Sequence, residues 1–242
     1  MQGGSLRSRR RHVTVGVIAV GLFGLVFIAT GYTPELWVDM ADPKADSLLW
    51  RFSVSAADTS LALLTATLLF GPVHVIRGGR PTIHRPWRRV IGVWGGAMAL
   101  VHVSAAVFVH ARWQKVWSNW LEIAPPTLVG GDRGLANWLG LAQVAIVVLL
   151  LWLSRDGALR SLGGRTWKRL QRSSYVLVVL VGAHALLYHR IEARIAVHRA
   201  PIIALLVLML LGQLAGIGFV LWRRHGAASS GPRSAPHRDL RP

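Results

Sequence analysis

Residues 90–111 read VIGVWGGAMALVHVSAAVFVHA and residues 174–191 read SYVLVVLVGAHALLYHRI. A run of about 20 predominantly apolar residues is long enough to cross a bilayer as a helix. Each of these runs also carries an imidazole near its middle, His102 in the first and His184 in the second. An ionisable side chain at that depth is costly, so it is a functional candidate by default. The two stretches decide the fold class, because a chain with such segments is built helix against helix inside a membrane.

The rest of the chain repeats the pattern. It has 242 residues, of which 52% are hydrophobic and only 16% charged, with a mean hydropathy of +0.43. That is too apolar for a soluble domain of this size. Further apolar runs cover 13–33, 56–76, 134–153 and 201–222. The expected fold is all-α, a polytopic six-transmembrane-helix bundle. Residues 1–12 form a basic cytoplasmic N-terminus, 13–222 the membrane domain and 223–242 a disordered cytoplasmic tail rich in Arg, Ser, Pro and Gly. Residues 34–55 and 154–173 are expected as loops, and Pro201 as part of the first turn of span six. Trp113, Trp117 and Trp120 have the spacing of a short amphipathic helix lying in the headgroup layer.

The net charge of +18 does not point to nucleic acid, because the cations sit in short loops between apolar runs. Four Lys and Arg precede the first run, five lie between runs two and three, six between four and five, and five follow the last. With both termini in the cytoplasm, this alternation satisfies the positive-inside rule at every loop. The expected location is a bacterial-type cytoplasmic (inner) membrane. Cysteine is absent, which excludes disulfides, iron–sulfur clusters, thiolate-ligated haem and thiol catalysis.

Spans three and five cross in the same direction, so the depths of their histidines can be compared. His102 lies 13 residues past Arg89 and His184 lies 12 past Arg172. At about 1.5 Å per residue the two imidazoles share one level, which is what a bis-histidine haem requires. Gly95, Ala99, Ala105 and Ala106 lie on the His102 side of its helix and offer a bed of small residues for a planar macrocycle. His110 and His189 fall near the outer ends of spans three and five, as propionate contacts or interfacial residues. His74 follows Gly71-Pro72, as a kink cap or a contact for a quinol or second cofactor. His12, His84, His198, His225 and His237 read as solvated.

Three anchors then carry a resemblance. Arg88-Arg89-Val90-Ile91-Gly92-Val93-Trp94 leads into Leu100-Val101-His102. Leu162-Gly163 precedes Trp167-Lys168-Arg169-Leu170-Gln171, with Tyr175 four residues on. His184 follows Gln171 by 13 residues. Over roughly residues 56–222 the chain resembles the ferric reductase-like transmembrane domain family. That family includes the haem-binding membrane subunit of the bacterial periplasmic methionine-sulfoxide reductase system. The resemblance implies His102 and His184 as axial ligands of haem iron. Gln171 departs from the pattern, since the sulfoxide reductase subunit has a further histidine there. One haem b is therefore expected, with flavin and quinone left open.

The expected function is a membrane b-type cytochrome relaying single electrons. Its donor is a separate flavin reductase or a quinol, since no dinucleotide fingerprint or flavin domain is expected. Its acceptor is an outer-side protein or ferric iron. The rival is a haem-free transporter or assembly subunit with the histidines as proton relays, for which Asp58, Gln143 and Gln213 would supply a polar path. Their simpler roles are a helix cap for Asp58 and interhelical hydrogen bonds for the glutamines.

Overall fold

The computed structural model describes residues 3–32, 48–78, 85–111, 132–191 and 196–229. The helices there are α1 (Gly3–Tyr32), α2 (Leu48–Ile76), α3 (Arg85–Ala111), α4 (Asp132–Leu153), α5 (Asp156–Gln171), α6 (Ser173–Ile191) and α7 (Ala196–Ser229). No strand occurs among the described residues. Six stretches are long and apolar enough to cross a membrane: Ser8–Ala29, Leu48–Ile76, Pro86–Phe108, Gly134–Leu153, Asp156–Ile191 and Arg199–Arg223. Large apolar side chains such as Val179, Leu210 and Leu211 are exposed on the bundle's outside, as a lipid-facing surface requires. The all-α, six-span architecture is as the hydropathy pattern implies.

Several boundaries differ from expectation. Helix α2 starts at Leu48, so residues 48–55 of the expected 34–55 loop are helical. No Gly or Pro interrupts residues 48–70, and Trp50 and Val54 are buried. Arg51 donates from Nη2 to the Phe27 carbonyl of α1 at 3.1 Å and lies 4.8 Å from the Phe27 ring centroid. The expected 154–173 loop is mostly α5. Asp156 in its first turn and Lys168 and Arg169 in its last complement the helix dipole. Gly163, at φ 71° and ψ 156°, breaks α5 in a conformation that side chains disfavour. The described helices also extend beyond the apolar runs at both termini, since α1 includes residues 3–12 and α7 continues to Ser229. Pro201 accordingly lies inside α7 rather than in its first turn. The Trp113, Trp117 and Trp120 segment lies outside the described residues.

Two helices organise the packing. Helix α2 touches α1, α3 and α7, while α4 touches α3, α5 and α6; α6 also meets α7. The α2–α7 seam shows how a polar defect is absorbed. Pro72 has no N–H to give the Leu68 carbonyl four residues back. Gln213 of α7 supplies the donor instead, with Nε2 at 2.8 Å from that oxygen. One turn further on, Gly216 lies so close that an added Cβ would fall 3.0 Å from Pro72 Cβ and 3.1 Å from its Cα. At the basic end, Arg89 pairs with Asp156, joining the start of α3 to the first turn of α5.

Gln213→Leu should lower the stability of the detergent-solubilised protein by about 1 kcal/mol, the scale of one interhelical hydrogen bond in a membrane protein. Gly216→Val should cost more, because the clash is with backbone as well as side chain. Thermal unfolding of the purified variants checks the ranking, and equal midpoints for both and the parent would refute it.

Candidate functional site

A cavity of about 250 Å³ opens between the α2–α3 pair and the α4–α6 pair, with Ile202 of α7 at its edge. It lies toward the start of α2 and the end of α3, the opposite end of the bundle from α5. Both His102 and His184 line it. The walls are mainly aliphatic, with Leu61 and Leu64 from α2, Val103 from α3, Val144 from α4 and Val181 from α6.

The two imidazoles are held in the same way. His102 Nδ1 lies 2.9 Å from the backbone oxygen of Ser53 on α2 and 3.0 Å from the Ser53 hydroxyl. That hydroxyl also donates to the His102 carbonyl at 3.3 Å. His184 Nδ1 lies 2.8 Å from the backbone oxygen of Ala136 on α4. A carbonyl can only accept, so in each ring Nδ1 carries the hydrogen. The neutral imidazole then keeps its lone pair on Nε2, the nitrogen a metal would take.

The surroundings of His184 are close-fitting. A Cβ added at Gly140 would fall 3.2 Å from its Cε1 and 3.5 Å from its Nδ1. Tyr188 lies one turn further along α6, its ring centroid 4.8 Å from that of His184. Its hydroxyl donates to Asn137 Oδ1 at 2.6 Å. Both residues line the cavity, so α4 and α6 are clamped beside the imidazole twice, at Ala136 and at Asn137.

Of the small residues expected around His102, Ala99 and Ala106 line the cavity. Gly95 does not belong to its wall. It is buried against α2, where an added Cβ would meet Leu63 Cβ at 3.2 Å, and its carbonyl accepts from Ser60 Oγ at 2.9 Å. Gly95 instead lets α3 and α2 approach closely at Leu63. His74 is also remote, ten residues beyond Leu64 on α2, about 15 Å along the axis. His110 lies in α3, but its side chain falls outside the described residues, as do the side chains of His84, His198 and His237.

His189 is not an interfacial residue. It is 1% exposed and lines the cavity together with Asp58. Asp58 is not a helix cap, since α2 begins ten residues earlier. The glutamines adopt the simpler role expected of them. Gln143, which lines the cavity, donates to the Leu180 carbonyl at 3.1 Å, and Gln213 bonds across the α2–α7 seam. Ser53, Ala136, Gly140, Asn137 and Tyr188 carry no mark in the sequence as site residues. Tyr188, at four residues from His184, is the only one whose helical spacing points toward the site.

No family model matches the chain. It is similar over part of its length to the magnetosome protein MamZ of Magnetospirillum gryphiswaldense (strain MSR-1), with 29% identity over 136 residues, 54% of this chain and 18% of that protein. MamZ of Paramagnetospirillum magneticum (strain AMB-1) is 28% identical over 132 residues, again 54% of this chain and 18% of the relative. The chain thus spans less than a fifth of the length of these curated relatives.

Tyr188→Phe deletes the phenol–amide bond while keeping the ring beside His184. It should destabilise the purified protein by about 1–3 kcal/mol, because Asn137 is left with an unmet acceptor in a desolvated wall. Thermal unfolding in detergent measures this, and an unchanged midpoint would show that the α4–α6 clamp does not depend on it.

Proposed function

We propose that this protein is a membrane b-type cytochrome of the ferric reductase-like type, with His102 and His184 as the ligands of one haem. The observation that carries the reading is the shared pose of the two rings. Each lines the same apolar cavity, and each commits Nδ1–H to a backbone carbonyl of the neighbouring helix. Metal-ligating histidines characteristically donate the other ring N–H in this way, which sets the tautomer, fixes the ring and raises the basicity of the ligating nitrogen.

The cradle fits such a group in two further respects. Gly140 leaves the space in which the His184 ring stands, and Ala99 and Ala106 keep the wall low one turn to either side of His102. Among the described residues no group of three or more His, Cys, Asp or Glu is arranged to hold a metal ion. Two imidazole nitrogens suit an iron that brings its other ligands with it. A haem held by His102 and His184 would supply one-electron transfer chemistry. The protein's own contribution is to exclude water with its aliphatic walls, to hold both rings from behind and to place each ring's hydrogen on Nδ1.

The proposal includes an orientation. The basic ends of the helices face the cytoplasm, as the positive-inside rule requires, and the cavity then lies in the outer half of the membrane. The donor is a quinol or a cytoplasmic flavin reductase, and the acceptor an outer-side reductase or ferric iron. Gln143 and Gln213 have carbonyl partners on other helices, which weakens the case for a haem-free proton relay.

The purified protein, expressed with ample haem, should show a Soret band and, on dithionite, split α and β bands of a low-spin haem. His102→Ala and His184→Ala should each abolish haem retention, whereas His84→Ala should retain it, as read by pyridine haemochrome. Equal haem content in all three variants would mean that the ligands are wrong, and a colourless parent protein would favour the transporter reading. Gly140→Val should push the His184 ring and reduce haem affinity by roughly 10–100-fold, the scale of supporting-residue substitutions at metal sites.

A further inference from the structure

We propose that α5 and the arginines flanking it form a binding surface for the headgroups of anionic phospholipids. The helix joins α4 to α6 through Ser154 and Arg155 on one side and Arg172 on the other. Both neighbours are membrane spans, so α5 is confined to the level at which they leave the hydrocarbon. Its inner side is fastened there: Ala158 is buried, and Trp167 Nε1 donates to the Leu153 carbonyl at 2.9 Å, meeting one of the acceptors that the end of α4 leaves open.

Its outer side is cationic. Arg160, Arg165, Lys168 and Arg169 are all exposed, and so are the flanking Arg155 and Arg172. The helix has one acidic residue, Asp156, and that carboxylate is paired with Arg89 of α3. The remaining positive charge is therefore not balanced within α5. Leu159 is 45% exposed among these cations. An apolar side chain open beside a basic face is what a helix lying in the headgroup layer presents, and such a face attracts anionic lipid.

The rival occupant is an acidic soluble protein. Lipid headgroups need only the height at which α5 already lies, and Leu159, exposed among the cations, suits the boundary between headgroup and acyl chain rather than a solvated protein contact. The lipid surface does not rest on the proposed function, and it holds whether or not haem binds.

The test uses the full-length protein in neutral detergent, titrated with phosphatidylglycerol or phosphatidylcholine, with retained lipid counted by native mass spectrometry. Phosphatidylglycerol should be retained in preference, and raising the salt concentration should remove the preference. Each surface cation contributes about a fivefold factor to anionic-lipid affinity, so the double variant Arg165→Gln/Lys168→Gln should bind phosphatidylglycerol roughly 25-fold more weakly. Arg165→Lys, which keeps the charge, should bind as the parent does. Equal retention of the two lipids, or a salt-independent preference, would overturn the proposal without need of any variant. Displacement of the lipid by inorganic phosphate at equal concentration would reassign the surface to free anions. Polyglutamate binding as tightly to protein in phosphatidylglycerol nanodiscs as in phosphatidylcholine ones would reassign it to an acidic protein.

Discussion

Hydrocarbon offers no hydrogen-bonding partner, so a polar side chain carried into it must find one on a neighbouring helix. In this protein the partner is repeatedly a backbone carbonyl. His102 reaches Ser53, His184 reaches Ala136, Gln143 reaches Leu180 and Gln213 reaches Leu68. Arg51 and Trp167 do the same toward Phe27 and Leu153. A carbonyl with its own i to i+4 bond retains a second lone pair, and those of Leu68 and Leu153 have no such bond, so these contacts join helices without unravelling them. They also fix rotation, since a ring tethered at Nδ1 can present only Nε2 elsewhere.

That constraint links the fold to the proposed chemistry. The bundle divides into a part built around α2 and a part built around α4, and each contributes one histidine and one carbonyl to the seam between them. Tethering the rings to the helices of their own part leaves the space between the parts apolar and open. Small residues let helices close within a part, as Gly95 does against Leu63 and Gly216 against Pro72, and between the parts, as Gly96 does against Leu151. The polar work is thus assigned by end, with histidines at the cavity and arginines around α5.

Much of this was legible in the residues. The six spans follow from runs of apolar side chains, which is a one-dimensional property. The matching levels of His102 and His184 follow from helix rise alone, counted from Arg89 and Arg172. The departures share a cause: charge and polarity read along the chain as loop when their partners lie on other helices. Residues 48–55 read as loop, because nothing in the local sequence shows the Phe27 carbonyl and ring that receive Arg51. The basic 154–173 segment reads as a connector for the same reason, until Trp167 is seen fastened to the end of α4. Gly95 shares a helical face with His102, yet the approach of α2, and not helical phase, decides that it lies outside the cavity.

The sequence by itself determined the all-α membrane class and the number of spans, and it singled out the two histidines that line one cavity. Those depend on hydropathy, length and rise, each of which is carried by a segment without reference to its neighbours. Only the tertiary structure decided which ring nitrogen is tethered, that Ser53 and Ala136 hold the rings, that Gly140 makes room for one of them and that His189 is buried beside them. Such features depend on which carbonyls and side chains face one another across helix seams, separated by as many as 145 residues at Gln213 and Leu68. No periodicity within a single helix encodes that pairing.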